Sequence, residues 1–201
     1  MSINQAMANT RLEGDTIILE PLEPGHRSAL AQLLNDPAIW QFTWRTVTNL
    51  EEAEALVDEA LLARAAGKQL PFAIIDKRSG RIVGTSRIAD MSPVHRHAEI
   101  GYSWLSPSVW RTPVNTECKR LLIAYCFEEL NALRVQFSIS HHNERSQRAV
   151  ERIGAVREGV LRRARVKPDG SIHDVVIYGI VDGEWPDVRE RIDGLLGKQY
   201  V

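Results

Sequence analysis

The sequence predicts a mixed α/β fold, in which one central sheet carries helices on its faces. Three observations predict it. Stretches that alternate apolar and polar residues, such as Arg134–Ser140, carry the period-two signature of strands. Stretches with apolar residues three and four apart, such as Ala53, Leu56, Val57, Ala60 and Leu61, carry that of helices. The resulting order is β α α β β β α β α β β. Tight turns join most strands, but a helix separates His97–Leu105 from Arg134–Ser140, and that spacing requires a parallel crossover in an otherwise antiparallel sheet.

Residues 16–22 (TIILEPL) read as the first strand. Pro24 stands where a helix can begin, Leu30, Leu33 and Leu34 form its apolar stripe, and Asn35, Asp36 and Pro37 end it. Trp40, Phe42 and Trp44 then alternate along a connection, as a short strand or as the wall of a pocket. Thr48 and Glu51 have the spacing of a capping box, and Gly67 is a natural stop for the second helix. Residues 72–76 and 81–89 form a hairpin about Lys77, Arg78, Ser79 and Gly80. A loop over residues 91–96 leads to the strand His97–Leu105. Thr112 can cap the next helix, with Pro113 at its first position, and the apolar pattern runs on to Leu130. After Arg134–Ser140, a short helix opens at Asn143 and stops at Gly154. Residues 156–167 and 173–181 pair about the turn Pro168, Asp169, Gly170 and Ser171, and Trp185 and Pro186 open a final helix.

With 201 residues and no linker-like stretch, the chain reads as one domain over 1–201, with residues 1–14 as a flexible leader. A net charge of −1 gives no global attraction to nucleic acid or an anionic membrane. No apolar run is long enough to cross a bilayer, and the N-terminus lacks the layout of a signal peptide, so a cytoplasmic location is expected. Cys118 and Cys126, placed on one helix, are separated by roughly 12 Å of helical rise. A disulfide tolerates only about 7 Å between Cα atoms, so both thiols are expected to be free. His95 and His97 form a His-x-His pair without a further ligand cluster in the sequence, and no metal site is expected.

The unit from Ala98 to Ala155 carries the chemistry. The turn Arg111, Thr112, Pro113, Val114, Asn115 and Thr116 leads into a helix N-terminus, where free N–H groups and the helix dipole favour an anion such as a pyrophosphate. The same residues also fit a plain capped helix start. On the following strand, Val135, Phe137 and Ile139 share one face and Gln136, Ser138 and Ser140 the other, which suits either a cleft or a sheet edge.

Ala98-Glu99-Ile100-Gly101-Tyr102, the Trp110-Arg111 turn, and Asn143-Glu144-Arg145-Ser146 with Gly154 eleven residues after Asn143 resemble the GNAT N-acetyltransferase superfamily. Glu158-Gly159-Val160-Leu161-Arg162 and Asp174-Val175-Val176-Ile177-Tyr178 are similar to its RimJ/RimL-like branch of ribosomal-protein N-terminal acetyltransferases. The resemblance spans roughly residues 15–190 and implies a twisted mixed sheet splayed between its fourth and fifth strands, His97–Leu105 and Arg134–Ser140. It implies acetyl-CoA as cosubstrate, contacted by Tyr102, Trp104, Leu105, Arg111, Val114, Asn115, Thr116, Asn143 and Ser146, and no metal. The acceptor it implies is a primary amine, either a protein N-terminus or a small molecule, and a homodimer is a family-level expectation.

By the same resemblance Glu99 is the general base and Ser146 the donor near the sulfur. Glu99 also fits a solvated carboxylate or a partner for Arg96. Glu158 is the reserve base and His142 a third option. Two places depart from the family pattern. Val114 and Thr116 stand where small residues let the backbone approach phosphate, and Val150 where many members carry a tyrosine that protonates the leaving thiolate. A non-catalytic CoA-binding or interaction module is the alternative these departures favour. Arg162, Arg163, Arg165 and Lys167 form a basic strand that alternation divides between two faces, as for solvated charge or contact with an acidic substrate.

Overall fold

The computed structural model describes residues 9–198. Eight strands form one sheet: β1 (Leu12–Glu13), β2 (Ile17–Pro21), β3 (Leu70–Asp76), β4 (Arg81–Ser92), β5 (His97–Leu105), β6 (Arg134–Ser140), β7 (Val156–Val166) and β8 (Ile172–Val181). Their spatial order is β1-β2-β3-β4-β5-β6-β8-β7, and every neighbouring pair is antiparallel except β5 and β6. The mixed sheet with one parallel crossover is therefore the observed architecture. Residues 1–8 of the segment read as a leader lie outside the described residues. Its end is part of the sheet, because Leu12 and Glu13 pair with Leu19 and Ile18.

Among the described residues five α-helices cover the sheet: α1 (Arg27–Leu34), α2 (Leu50–Ala65), α3 (Val114–Ala124), α4 (Glu144–Arg152) and α5 (Trp185–Gly197). Leu30, Ala31 and Leu34 of α1 and Ala53, Leu56 and Val57 of α2 share a buried cluster with Ala73 and Trp104. Cys118 and Leu122 of α3, Val150 of α4 and Val188 and Ile192 of α5 join a second cluster with Phe72, Ile74, Val135 and Tyr178. Ala73 lies in one cluster and its neighbours Phe72 and Ile74 in the other, so the two clusters occupy opposite faces of the sheet. Burying each leucine- or isoleucine-sized side chain contributes about 1.5–3 kcal/mol, which is what holds short helices such as α1 in place.

Local details depart from the sequence reading. The cap of α2 is Asn49, one residue later than expected, and the return bond of a capping box is not made to it. Asn49 Oδ1 accepts from Glu52 N–H at 2.9 Å, and Glu52 Oε2 accepts from Thr48 N–H at 2.7 Å. Gly67 does follow the end of α2, at φ +64°, where a side chain would be strained. The helix predicted to run to Leu130 ends at Ala124 and widens into a π turn over Tyr125–Glu129, with Leu130 N–H bonded to the Tyr125 carbonyl at 3.0 Å. Pro113 is the residue just before α3, and Thr112 caps from one place further back: its hydroxyl oxygen accepts from Val114 N–H at 3.4 Å while the hydroxyl donates to the Val109 carbonyl at 2.7 Å.

The feature that makes a site is the parting of β5 and β6. They pair only at His97 with Arg134, Ala98 with Val135 and Glu99 with Gln136. Beyond Glu99, β6 continues to pair with β8 as far as Ser140, while β5 bends away. The bend is a bulge against β4: Arg87 pairs with Gly101 and Thr85 with Trp104, leaving Tyr102 and Ser103 opposite Ser86. Tyr102 takes φ +51°, a left-handed conformation costly for a bulky residue.

Candidate active site

The parted strands enclose a two-lobed cleft. The first lobe, about 480 Å³, lies over the split and is lined by Glu99, Tyr102, Ser103, Lys119, Phe137, Ser138 and Ser140, among others. The second, about 660 Å³, runs along the N-terminal end of α3 and is lined by Leu105, Trp110, Arg111, Arg145, Arg148 and Arg152. Ser103, Trp104, Asn115, Asn143, Ser146 and Ala149 line both, so the lobes are continuous. The size suits a ligand larger than a simple metabolite.

Glu99 stands at the vertex, on the last residue where β5 and β6 are paired. Its half-buried carboxylate accepts from Ser138 Oγ at 2.8 Å and from Gln136 Nε2 at 3.1 Å. The polar face of β6 is thus the wall of a cleft, and Glu99 is held across the split rather than paired with Arg96. Arg96 instead donates to the Asn131 carbonyl at 2.7 Å.

In the second lobe the N–H groups of Asn115 and Thr116 have no hydrogen-bond partner among the described residues. They open beside four arginines, an arrangement built for a multiply charged anion. Arg111 has φ +63°, so the turn bends sharply just before α3. Arg145 stacks on Trp110 at 4.0 Å, and Arg152 donates to Thr116 Oγ1 at 2.6 Å. The side chains of Val114 and Thr116, read as cofactor contacts, do not reach the cleft. They are 6% and 1% exposed and turn into the protein, so they do not crowd an anion at the helix end. Buried Glu117 anchors this end of α3 to β2, accepting from the N–H groups of Thr16 at 3.0 Å and Ile17 at 3.1 Å.

A GNAT acetyltransferase domain model matches residues 16–156. This chain belongs to the GNAT acetyltransferase family. YdaF of Bacillus subtilis (strain 168), whose name proposes ribosomal N-acetylation, is 36% identical over 106 residues, covering 53% of this chain and 57% of that protein. A crystal structure from T. thermophilus, assigned as an acetyltransferase, superposes with TM-score 0.81 at 38% identity over 92% of this chain and 96% of its own. A GCN5-related N-acetyltransferase from Brucella melitensis superposes with TM-score 0.84 at 27% identity, over 94% and 86% of the two chains. The protein is an N-acetyltransferase of this family, with the family's mixed sheet.

The GNAT frame brings most of the sequence-predicted residues together. Glu99, Tyr102, Trp104, Leu105, Arg111, Asn115, Asn143 and Ser146 all line the cleft. Asn143 caps α4, its Oδ1 accepting from Ser146 N–H at 3.1 Å. Val150 is buried and lines the first lobe, presenting a methyl surface there. Of the three alternating aromatics, Trp44 lines the first lobe, Trp40 packs on Trp104 at 5.0 Å in the core, and Phe42 is exposed. Arg165 of the basic strand stacks on Trp44 at 5.6 Å and also lines that lobe.

Both reserve bases fall away. Glu158 lies outside the cleft in a bidentate ion pair with Arg134, which holds its carboxyl below the ordinary range. His142 does not line the cleft; it packs against His141 and His173.

Sequence reasoning missed three groups. Arg145, Arg148 and Arg152 drew no reading of their own from the sequence, and only the approach of α4 to α3 brings them to one lobe. Lys119 is 7% exposed and lines the cleft floor, its Nζ donating to Ser103 Oγ at 2.6 Å. Burial holds its ammonium below the ordinary lysine range. Arg87 is 1% exposed, spends its guanidinium on Gln69, the Leu56 carbonyl and Glu59, and lies 4.4 Å from the Tyr102 ring centroid. Arg45 lies 5.5 Å from the same centroid, and the two cations together hold the ring of the strained bulge residue.

Proposed function

We propose that this GNAT acetyltransferase moves the acetyl group of acetyl-CoA to a primary amine by direct attack, with Glu99 as general base. The observation that carries the reading is the division of one continuous cleft. A hydrogen-bonded carboxylate stands at its vertex, and four arginines stand at the α3 end. The arginine lobe suits the phosphates of the cosubstrate, and the first lobe suits the thioester and the acceptor.

An alkylamine is mostly protonated at neutral pH and must lose a proton before its nitrogen can attack. Glu99 can accept that proton, directly or through water, while Ser138 and Gln136 keep its carboxylate oriented. The new N–C bond forms as the C–S bond breaks. Charge developing on the carbonyl oxygen is offset by N–H groups of β5 beyond Glu99, which no longer pair with β6. The Ser146 hydroxyl can donate a hydrogen bond to the departing thiolate, which takes its proton from solvent water, because Val150 offers no donor.

The acceptor is a protein N-terminus or a small-molecule amine. The first lobe opens between Trp44, Arg45 and Arg165, which suits an acceptor bearing an acidic or aromatic group beside its amine. Val150 also favours a second reading, a CoA-binding module that does not turn over. Thermal shift with acetyl-CoA, followed by CoA release across a panel of N-terminal peptides and small amines, separates the two. Stabilisation without release on any acceptor would support the second reading, and no stabilisation at saturating acetyl-CoA would remove both.

A further inference from the structure

His141, His142 and His173 come together at the junction where β6 gives way to α4, outside the cleft already described. One ring nitrogen from each lies within 4.8 Å of the others. The sequence shows no such cluster, because antiparallel pairing of β6 with β8 is what brings residue 173 beside 141 and 142. The rings are tightly packed, with centroids 3.7 Å apart for His141 and His142 and 5.0 Å for His142 and His173.

We propose that these three histidines form a binding site for a divalent transition metal, Zn²⁺ in particular, with a fourth coordination position open to solvent. Imidazole nitrogen is the ligand type that Zn²⁺ accepts readily, and three protein ligands leave a place for water or another donor. Two nitrogens on one tetrahedral zinc sit roughly 3.4 Å apart, so the cluster closes on the ion with side-chain adjustments on the order of 1 Å.

The surroundings match what metal-bound histidines need. His173 Nδ1 lies 2.9 Å from Ser140 Oγ, and His141 Nδ1 lies 3.2 Å from the Asp174 carbonyl and 3.0 Å from its N–H. Nε2 of each ring is left without a hydrogen-bond partner among the described residues. For His173, coordination through Nε2 selects the tautomer whose Nδ1–H donates to Ser140 Oγ, a bond of the kind that orients metal-ligating rings; at His141 the same tautomer exchanges the Asp174 N–H bond to Nδ1 for an Nδ1–H bond to the Asp174 carbonyl. His173 is 6% exposed and closes the cluster on its buried side. His142 is exposed and puts the open position toward solvent. Because Ser140 and Asn143 flank the cluster and line the cleft, a bound ion braces the β6–α4 junction that carries Asn143 and Ser146.

The test uses the full chain without a purification tag, stripped by a chelator and titrated with Zn²⁺ against a chromophoric competitor. The proposal expects one equivalent bound with micromolar or tighter affinity and a visible spectrum typical of tetrahedral coordination when Co²⁺ replaces Zn²⁺. His142→Ala, at an exposed position that leaves packing intact, is expected to weaken binding at least tenfold and to remove the rise in Tm that Zn²⁺ gives the wild type. Ser140→Ala is expected to weaken it about tenfold through the lost orienting hydrogen bond. His97→Ala, in the separate His95–His97 pair, is expected to change nothing. Absence of saturable one-to-one binding overturns the proposal, as does less than a tenfold loss in His142→Ala or a comparable loss in His97→Ala.

Discussion

Glu99 on β5 accepts a hydrogen bond from Ser138 on β6 at 2.8 Å, although the backbones of the two strands are already parted at that point. The last paired residue of one strand is thus tied by its side chain to the first free stretch of the other. This bond sets the direction of the carboxylate into the cleft. Glu99→Gln is expected to lower kcat by about 10²–10⁴-fold, the usual worth of a positioned base, with acetyl-CoA affinity unchanged. Ser138→Ala is expected to cost about tenfold or less, since Gln136 still holds the carboxylate. CoA release under saturating acceptor, with calorimetry for binding, measures both. Full turnover in Glu99→Gln would remove it as base.

Arg145 and Arg152 meet at the second lobe from one face of α4. Replacing Arg145 by alanine is expected to raise the KM for acetyl-CoA about tenfold and leave kcat nearly intact, since it removes binding shared by ground and transition states. Raising the ionic strength is expected to weaken acetyl-CoA binding to the wild type more than to the variant, because the variant has one fewer charge to screen. Arg152→Ala is expected to do more harm, because it also strips the hydrogen bond that holds Thr116 at the start of α3.

The framework was legible in the sequence because strands and helices announce themselves by period and each lies in one stretch of chain. Glu99, Asn143 and Ser146 were singled out by the family resemblance of the stretches that hold them, and all three line the cleft. The inward turn of Val114 and Thr116 was not, since it depends on the rotation of α3 about its axis, which Glu117 sets by bonding to β2 one hundred residues away. Lys119 hid in an apparent surface position of an amphipathic helix, and the cap of α2 slipped by one residue because Asn49 and Glu52 offer the same spacing as Thr48 and Glu51.

Glu158 provides a control on the choice of base. Bonded to Arg134 away from the cleft, it is expected to be dispensable for turnover in Glu158→Gln. Its effect on stability has a definite sign. A glutamate whose folded pKa is depressed adds stability above its ordinary pKa of about 4.3, and that contribution is lost as pH falls through the lower folded value. The Tm of the wild type is therefore expected to exceed that of Glu158→Gln at pH 7 and to converge with it toward pH 3. The difference is small, because the pair is about a third exposed and screened by solvent. A variant less active by tenfold or more would return Glu158 to the list of candidate bases.

Cys118 and Cys126 are 1% and 0% exposed and remain free thiols. Burial pushes the Cys118 thiol up to about 11 and Cys126 further, so neither forms thiolate at neutral pH. The native protein is expected to show no reaction with a disulfide reagent over the minutes of an assay, and two thiols per chain after denaturation. CoA release can accordingly be followed by its free thiol without background from the enzyme. Rapid native labelling would contradict the packing of α3 against the sheet.

Lys119 sets stability against activity. Its ammonium is buried beneath the cleft with Ser103 and the Phe137 ring as its neighbours, and no carboxylate pairs with it among the described residues. Burying a charge without an opposite partner destabilises a fold unless the site uses it. Lys119→Met, similar in length, is expected to raise stability by about 1 kcal/mol or more, which for a chain of this size is roughly 2–4 °C in Tm. The folded pKa lies below the unfolded value near 10.4, so the unfolded chain holds the proton more tightly and wild-type stability rises with pH up to that value. The advantage of Lys119→Met is therefore largest near neutral pH and shrinks in alkali. The same variant leaves Ser103 bonded to Ser86 at 2.7 Å and to the Gly101 carbonyl at 3.4 Å, and removes the cation facing the split of β5 and β6. Turnover is expected to fall about tenfold while the melting curve shifts upward, a combination that a purely structural lysine would not produce. A variant that is both less stable and fully active would show that Lys119 serves packing alone.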